Sequence, residues 1–158
     1  AGNDRYFGCR YAQAWAAHQA IGLLEDLGGD DYYQAWQNVG QSSAWDESIT
    51  FLLEEAGNDV YASNGDFSLA ASHHNGLAVL VDRAGRDRYA SKLPVPRADA
   101  DGQRTSFSLL MDLGGGDDDY AGGAENNAIR HANSHAFIAD LPAGAPPTSG
   151  QVDDLLTK

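Results

Sequence analysis

The chain has 158 residues, 23 acidic against 10 basic, giving a formal net charge of −13 and a pI near 4.4. That balance excludes nucleic acid and an anionic membrane surface as partners, since both select positive potential, and leaves cation binding or simple solubility. The length suits one domain with a true core, no apolar run approaches the roughly 20 residues of a membrane span, and the single Cys9 permits no intrachain disulfide.

The first unit opens on Gly2-Asn3-Asp4-Arg5-Tyr6, at the very start of the sequence. No secretory leader precedes it, so this end is expected to be a processing site or a boundary within a longer chain. A strand is predicted to begin at Tyr6. A weakly patterned segment follows at residues 12–17, and then the apolar run Ile21–Asp26, bounded by Gly28-Gly29, reads as a buried strand. The second unit repeats this as Gly29-Asp30-Asp31-Tyr32-Tyr33 and Ile49–Glu54, and the third as Gly57-Asn58-Asp59-Val60-Tyr61, residues 67–72 and Leu77–Asp82.

The fourth unit has Gly85-Arg86-Asp87-Arg88-Tyr89 and Phe107–Asp112. Between them, residues 91–104 carry Pro94 and Pro96 and are expected to form an enlarged surface loop. The fifth has Gly116-Asp117-Asp118-Asp119-Tyr120 and residues 135–140. Pro142, Pro146 and Pro147 then end the pattern, and Thr148 or Ser149 is placed to cap a short helix carrying Val152, Leu155 and Leu156, folded over the last coil. The expected division is therefore a repeat domain over residues 1–144 and a tail over 145–158.

The motif tyrosines Tyr6, Tyr33, Tyr61, Tyr89 and Tyr120 are 27, 28, 28 and 31 residues apart. A fixed period of this size marks a repeat architecture. Two or three short strands per unit predict an all-β fold: a right-handed parallel β-solenoid of about five ~28-residue coils with a short C-terminal tail. A β-propeller is the competing architecture, but its blades need about 40 residues, and the leucine-rich-repeat signature is missing. In a solenoid each alignment column becomes a physical ladder. The second position of the apolar runs is always small (Gly22, Thr50, Ala78, Ser108, Ala136), and the last is always acidic (Asp26, Glu54, Asp82, Asp112, Asp140). Stacked tyrosines would fill a corner of the core. Were the rings to face outward, they would suit a glycan.

The motif aspartates Asp4, Asp31, Asp59, Asp87 and Asp118 form one acidic ladder, with the strand-end acids as a second beside it. Carboxylates ~4.8 Å apart repel by about 0.9 kcal/mol even in bulk water, so something must offset the charge. One candidate is the backbone, through Asx-type turns that need no ion. The other is calcium, bound by carboxylate and carbonyl oxygens. Candidate ligands are Asp4, Asp31, Asp59, Asp87 and Asp118, with Asp26, Glu54, Asp82 and Asp112. Asp117, Asp118 and Asp119 form the richest oxygen cluster in the sequence.

Residues 27–33 and their counterparts resemble the latter half of the calcium-binding nonapeptide of RTX toxins and secreted proteases, Gly-Gly-x-Gly-x-Asp-x-U-x, with Tyr as the large residue U. The resemblance implies that the motif aspartates are calcium ligands. The spacing differs: that family repeats its motif every nine residues, whereas here it recurs about every 28.

The same alignment puts His18, Asp46, His74 and Arg104 in one column and His73 and His131 in the next. Asp46, His74 and Arg104 could serve as a base with an anion-holding partner in a polysaccharide-directed lyase or hydrolase, since parallel β-helix enzymes on polysaccharides place such groups on one sheet. No zinc-protease, nucleophile-elbow, Cys-x-x-Cys or phosphate-loop motif accompanies them. The leading expectation is instead a non-enzymatic structural or interaction module, calcium-stabilised, working extracellularly, at a cell surface or in a periplasm. Its open coil edges would pair with another copy, with the missing part of a longer repeat protein or with a different protein subunit, and head-to-tail contact without closure would give a fibre. A calcium-dependent carbohydrate-binding module is the third class.

Overall fold

The computed structural model describes residues 1–65, 67–91, 96–99, 105–121, 124–133 and 135–144. Every regular element among them is a strand, arranged in three sheets around one axis. The first sheet contains β1 (Arg5–Gly8), β4 (Tyr32–Ala35), β7 (Val60–Ser63), β10 (Arg88–Ser91) and β13 (Asp119–Tyr120). The second contains β2 (Trp15–Ala17), β5 (Ser43–Trp45), β8 (Ala71–His73) and β11 (Arg97–Ala98). The third contains β3 (Ile21–Asp26), β6 (Ile49–Glu54), β9 (Leu77–Asp82), β12 (Phe107–Asp112), β15 (Ala136–Asp140) and, beyond β15, β14 (Ile129–Asn133). Neighbouring strands from successive windings are parallel, and only β14 runs antiparallel. This is a parallel β-solenoid.

The expected columns are physical ladders. Tyr6, Tyr33, Tyr61, Tyr89 and Tyr120 are register partners, with successive ring centroids 4.7, 5.1, 5.0 and 4.8 Å apart and planes within 9° of parallel. Their spacing matches the rise between parallel strands, so each ring packs face on against the next at no cost to sheet geometry. The inner three rings are fully buried, facing Leu52, Leu80, Leu110 and Ile138 from the third sheet. The small column beside these leucines is explained by the second sheet passing close behind it. A Cβ on Gly22 would lie 2.8 Å from the Trp15 carbonyl oxygen, and Ser42 Oγ and Thr50 Oγ1 are 3.0 Å apart.

The corners flanking the second sheet are turned by paired left-handed residues: Gln13/Ala14, Gln41/Ser42 and Leu69/Ala70 on one side, His18/Gln19, Asp46/Glu47 and His74/Asn75 on the other. Each such non-glycine residue costs about 1–2 kcal/mol in isolation. Here the corners hydrogen-bond between windings, as Ser42 N–H to the Gln13 carbonyl (2.9 Å) and Glu47 N–H to the His74 carbonyl (2.9 Å). A fully buried Gln41 adds two bonds from its amide nitrogen, to the carbonyls of Tyr33 and Ala62, both 2.9 Å.

Two expectations are corrected. The windings number about four complete turns and a partial fifth rather than five, because among the described residues the fifth adds no strand to the second sheet. There the chain turns back at Asn126 and Asn127, the latter left-handed, and β14 doubles back along β15. Second, residues 97–98, expected within a surface loop, form β11 and pair with β8, as Arg97↔Ala71 and Ala98↔Ser72. In the third sheet β14 covers the edge of the last winding. The helix expected over the tail lies outside the described residues.

Candidate functional site

The glycines opening the second, third and fourth motifs, and Gly115 in the fifth, let two windings touch along their backbones. A Cβ on Gly29 would lie 1.8 Å from the Gly2 carbonyl oxygen, and one on Gly57 would lie 1.7 Å from that of Gly29, so no side chain fits. This close turn aims the motif aspartate along the axis. The Asp4 amide donates to Asp31 Oδ1 (2.5 Å), Asp31 to Asp59 Oδ1 (2.6 Å), Asp59 to Asp87 Oδ1 (2.7 Å) and Asp87 to Asp118 Oδ1 (2.6 Å). The bond joins successive windings rather than closing a local Asx turn. At the end of the ladder the Asp118 amide donates to Asn126 Oδ1 (2.7 Å), an amide side chain standing where the next aspartate would be.

The tyrosine hydroxyls bring in the second acidic ladder. Tyr6 donates to Asp26 (2.5 Å), Tyr61 to Asp82 (2.7 Å), Tyr89 to Asp112 (2.8 Å) and Tyr120 to Asp140 (2.7 Å), and Tyr33 donates to Glu54. Carboxylate oxygens from the two ladders therefore converge in four groups: Asp4/Asp26/Asp31, Asp31/Glu54/Asp59, Asp59/Asp82/Asp87 and Asp87/Asp112/Asp118. Within each group one oxygen per residue lies within 4.8 Å of the others. All these residues except Asp4 are buried.

Burial sets the electrostatics. Asp59 and Asp112 are pushed up to about 7, first by desolvation and then by neighbouring carboxylates such as Glu54 and Asp118. Asp82 and Asp87 are driven well above the carboxylate range, again by desolvation first, with Asp87 and Asp112 respectively adding the strongest like-charge repulsion. Asp31, Glu54 and Asp118 are raised for the same reason. Asp26 is the exception: burial lifts it, but hydrogen bonds from Tyr6, Gly28 and the Ala1 ammonium bring it below the usual value. Four buried oxygens, Asp31 Oδ2, Asp59 Oδ2, Asp82 Oδ1 and Asp87 Oδ2, have no hydrogen-bond partner among the described residues.

The consecutive acids Asp117, Asp118 and Asp119 do not act together. Only Asp118 enters a group; Asp117 is exposed, and Asp119 on β13 is exposed and pairs with Arg88 (3.3 Å). The turn residues before the motif aspartates form a separate exposed ladder of opposite sense, with Asp30 N–H to Asn3 Oδ1 (3.1 Å), Asn58 N–H to Asp30 Oδ1 (2.9 Å) and Arg86 N–H to Asn58 Oδ1 (3.1 Å).

In the histidine column His18, Asp46 and His74 do follow one another at the second corner, and His18 Nδ1 lies 2.7 Å from Asp46 Oδ2 on the surface. His73 stacks on Trp45 with centroids 4.4 Å apart, and the His74 ring lies 3.9 Å from His73. His131 is not beside His73. It sits on β14 in the third sheet, its ring 5.0 Å from Phe137, because the last winding reverses. Arg104 lies outside the described residues. Of the proposed trio, Asp46 and His74 therefore share a corner, with Asp46 engaged by His18. The sequence reading missed Gln41 and Asn126; the signal for the first was a glutamine repeated 28 residues apart, as Gln13 and Gln41, and for the second an amide where the next motif acid would stand. No known protein family, curated protein or solved structure matches this chain.

Proposed function

We propose that the chain is a structural and interaction module rather than an enzyme, and that a module of residues 1–158 self-associates through the edge of its first winding. The observation that carries this is the surface that winding presents. β1, β2 and β3 each pair on one side only. Around them Phe7, Tyr11, Ile21, Leu23 and Leu27 are exposed; Ile21 is 76% accessible, while Ile49, its partner one winding on, is 37%. Unpaired strand edges ringed by apolar side chains favour pairing with another β-edge.

The opposite end is less receptive. In the third sheet β14 already covers β15 with an antiparallel strand, so a head-to-tail repeat would have to displace it. Contact between two first windings about a two-fold axis needs no such displacement, and it makes a closed dimer in place of the fibre expected from head-to-tail stacking. On this reading the module works extracellularly, at a cell surface or in a periplasm, which its acidic, Asp- and Gly-rich composition suits.

Light scattering coupled to size exclusion, over a range of concentrations, tests the assembly. The expected result is a concentration-dependent dimer, converted to monomer by Ile21→Lys combined with Leu23→Lys with an unchanged circular dichroism spectrum. A chain that stays monomeric throughout, or a charged variant that dimerises as before, overturns the reading. Substitution is sharper than deleting the winding, which would expose a chemically similar edge.

A further inference from the structure

We propose that the interior carboxylate groups are calcium sites, and that the solenoid carries a column of cations along one corner of its core. The central group is the clearest. Asp59, Asp82 and Asp87 are each no more than 1% exposed and stand in one group, and each has one buried oxygen with no hydrogen-bond partner among the described residues: Oδ2, Oδ1 and Oδ2 respectively. Their other oxygens are already fixed, by the Asp31 amide, the Tyr61 hydroxyl and the Asp59 amide. Each carboxylate is thus held by one oxygen while the other is left without a partner. A buried acceptor without a donor is costly, and three on the residues of a single group call for a shared positive charge.

The chemistry of the donors selects the ion. The groups contain only carboxylates, with no histidine or cysteine, which favours a hard cation over zinc or copper. Oxygens within 4.8 Å of one another fit around an ion with bonds of about 2.3–2.6 Å. Magnesium dehydrates reluctantly and demands near-ideal octahedral geometry; calcium accepts irregular oxygen shells in which carboxylates bind through one or both oxygens. The charge also balances along the column. The four groups draw on nine different carboxylates, because Asp31, Asp59 and Asp87 are each shared by two groups. Four divalent ions would bring eight positive charges against those nine negative ones, and each shared aspartate would bridge two ions. The column is reachable from its ends: Asp4 is exposed at one, and Asp118 and Asp140 line an open cleft of about 340 Å³ at the other. The inference is independent of the assembly proposed above, because the central groups lie away from the first winding's edge.

The test uses the whole chain, stripped with chelator and desalted, then titrated with calcium or with terbium at pH 8. The expected result is a rise of several degrees in the melting midpoint with calcium, a stoichiometry near four, and terbium emission excited through the stacked tyrosines and competed away by calcium. Asp59→Asn with Asp87→Asn alters three of the four groups while keeping an oxygen at each Oδ1 position, so the stoichiometry should fall to about one. If that pair fails to fold, Asp82→Asn alone should lower stoichiometry and emission by about a quarter or more. Three results overturn the proposal. One is a midpoint indifferent to calcium with no metal retained. Another is sensitised emission unaltered by the column variants. The last is emission lost instead on Asp117→Asn or Asp119→Asn, which would place the ion on the surface.

Discussion

The first and third windings carry the same motif yet treat it oppositely. Asp4 is exposed and Tyr6 only partly buried, whereas Asp59 and Tyr61 are sealed from solvent. Asp26 is held below the ordinary carboxylate range, while its counterpart Asp82 is driven above it. The residues are alike, so the difference comes from having a winding on both sides. A neighbour on each side stacks the tyrosine on two faces and removes water from the acids. It also adds two further carboxylates at close range. In a ladder fold the energy of a residue belongs to its position in the stack.

The tyrosines should show this contrast most strongly. Tyr61→Ala removes a ring packed between Tyr33 and Tyr89 and leaves the Asp82 carboxylate without its donor. A loss of about 3–5 kcal/mol is expected in urea denaturation, comparable to other large-to-small core substitutions. Tyr6→Ala, stacked against Tyr33 alone, should cost less than half as much. Equal losses would show that the end winding is as ordered as the middle, and would break the comparison.

The acids should differ in sign. Asp82→Asn removes a charge that burial disfavours, so in chelator at pH 8 it should stabilise by more than about 1 kcal/mol, since raising a carboxyl pKa by one costs about 1.4 kcal/mol once the group must ionise. Asp26→Asn removes a carboxylate that its donors favour, and should destabilise at the same pH. The pH profile of the metal-free protein has the same origin. For an acid whose folded value is raised, the folded state holds more protons than the unfolded one. Its contribution is therefore complete below about pH 4 and is lost as the pH rises through the folded value, about 7 for Asp59 and Asp112. Melting midpoints in chelator should fall between about pH 4 and pH 8, the reverse of ordinary acid denaturation. Saturating calcium should flatten the alkaline side. A midpoint that rises over that interval would show that the column is ionised without cost.

Much of this was readable from the sequence, for a physical reason. Stacking forces equivalent side chains into contact, so columns such as Tyr6 to Tyr120, Gly22 to Ala136 and Asp26 to Asp140 are constrained together and stand out in an alignment. Strands β3, β6, β9 and β12 coincide with the apolar runs because their inner faces alternate leucine with a small residue. The corners were not readable. Apart from Asn75, their left-handed pairs use Gln, Ser, Leu, Ala, His, Asp and Glu, where glycine or asparagine would be expected, and inter-winding hydrogen bonds override local preference. The reversal after Tyr120 was hidden for a related reason, since the spacing from Tyr120 to residue 135 matches a normal winding and only the Asn126-Asn127 pair marks the turn. The site was half legible. Both acidic ladders were visible, but which acids meet depends on tyrosine hydroxyls that reach from the first sheet to the third.

The smallest effect belongs to the exposed ladder beside the motif aspartates. Asn58 both donates to Asp30 and accepts from the Arg86 amide, so it links three windings, but in contact with water. Water can replace each of those partners, so Asn58→Ala should cost only about 0.5–1 kcal/mol, against several for the buried tyrosine one turn inward. Asn58→Asp keeps the acceptor for Arg86 but puts a second carboxylate beside Asp30, and its cost should shrink as salt is added, because exposed charges are screened. A salt-independent loss of several kcal/mol would mean that this outer ladder, and not the buried column, sets the spacing of the windings.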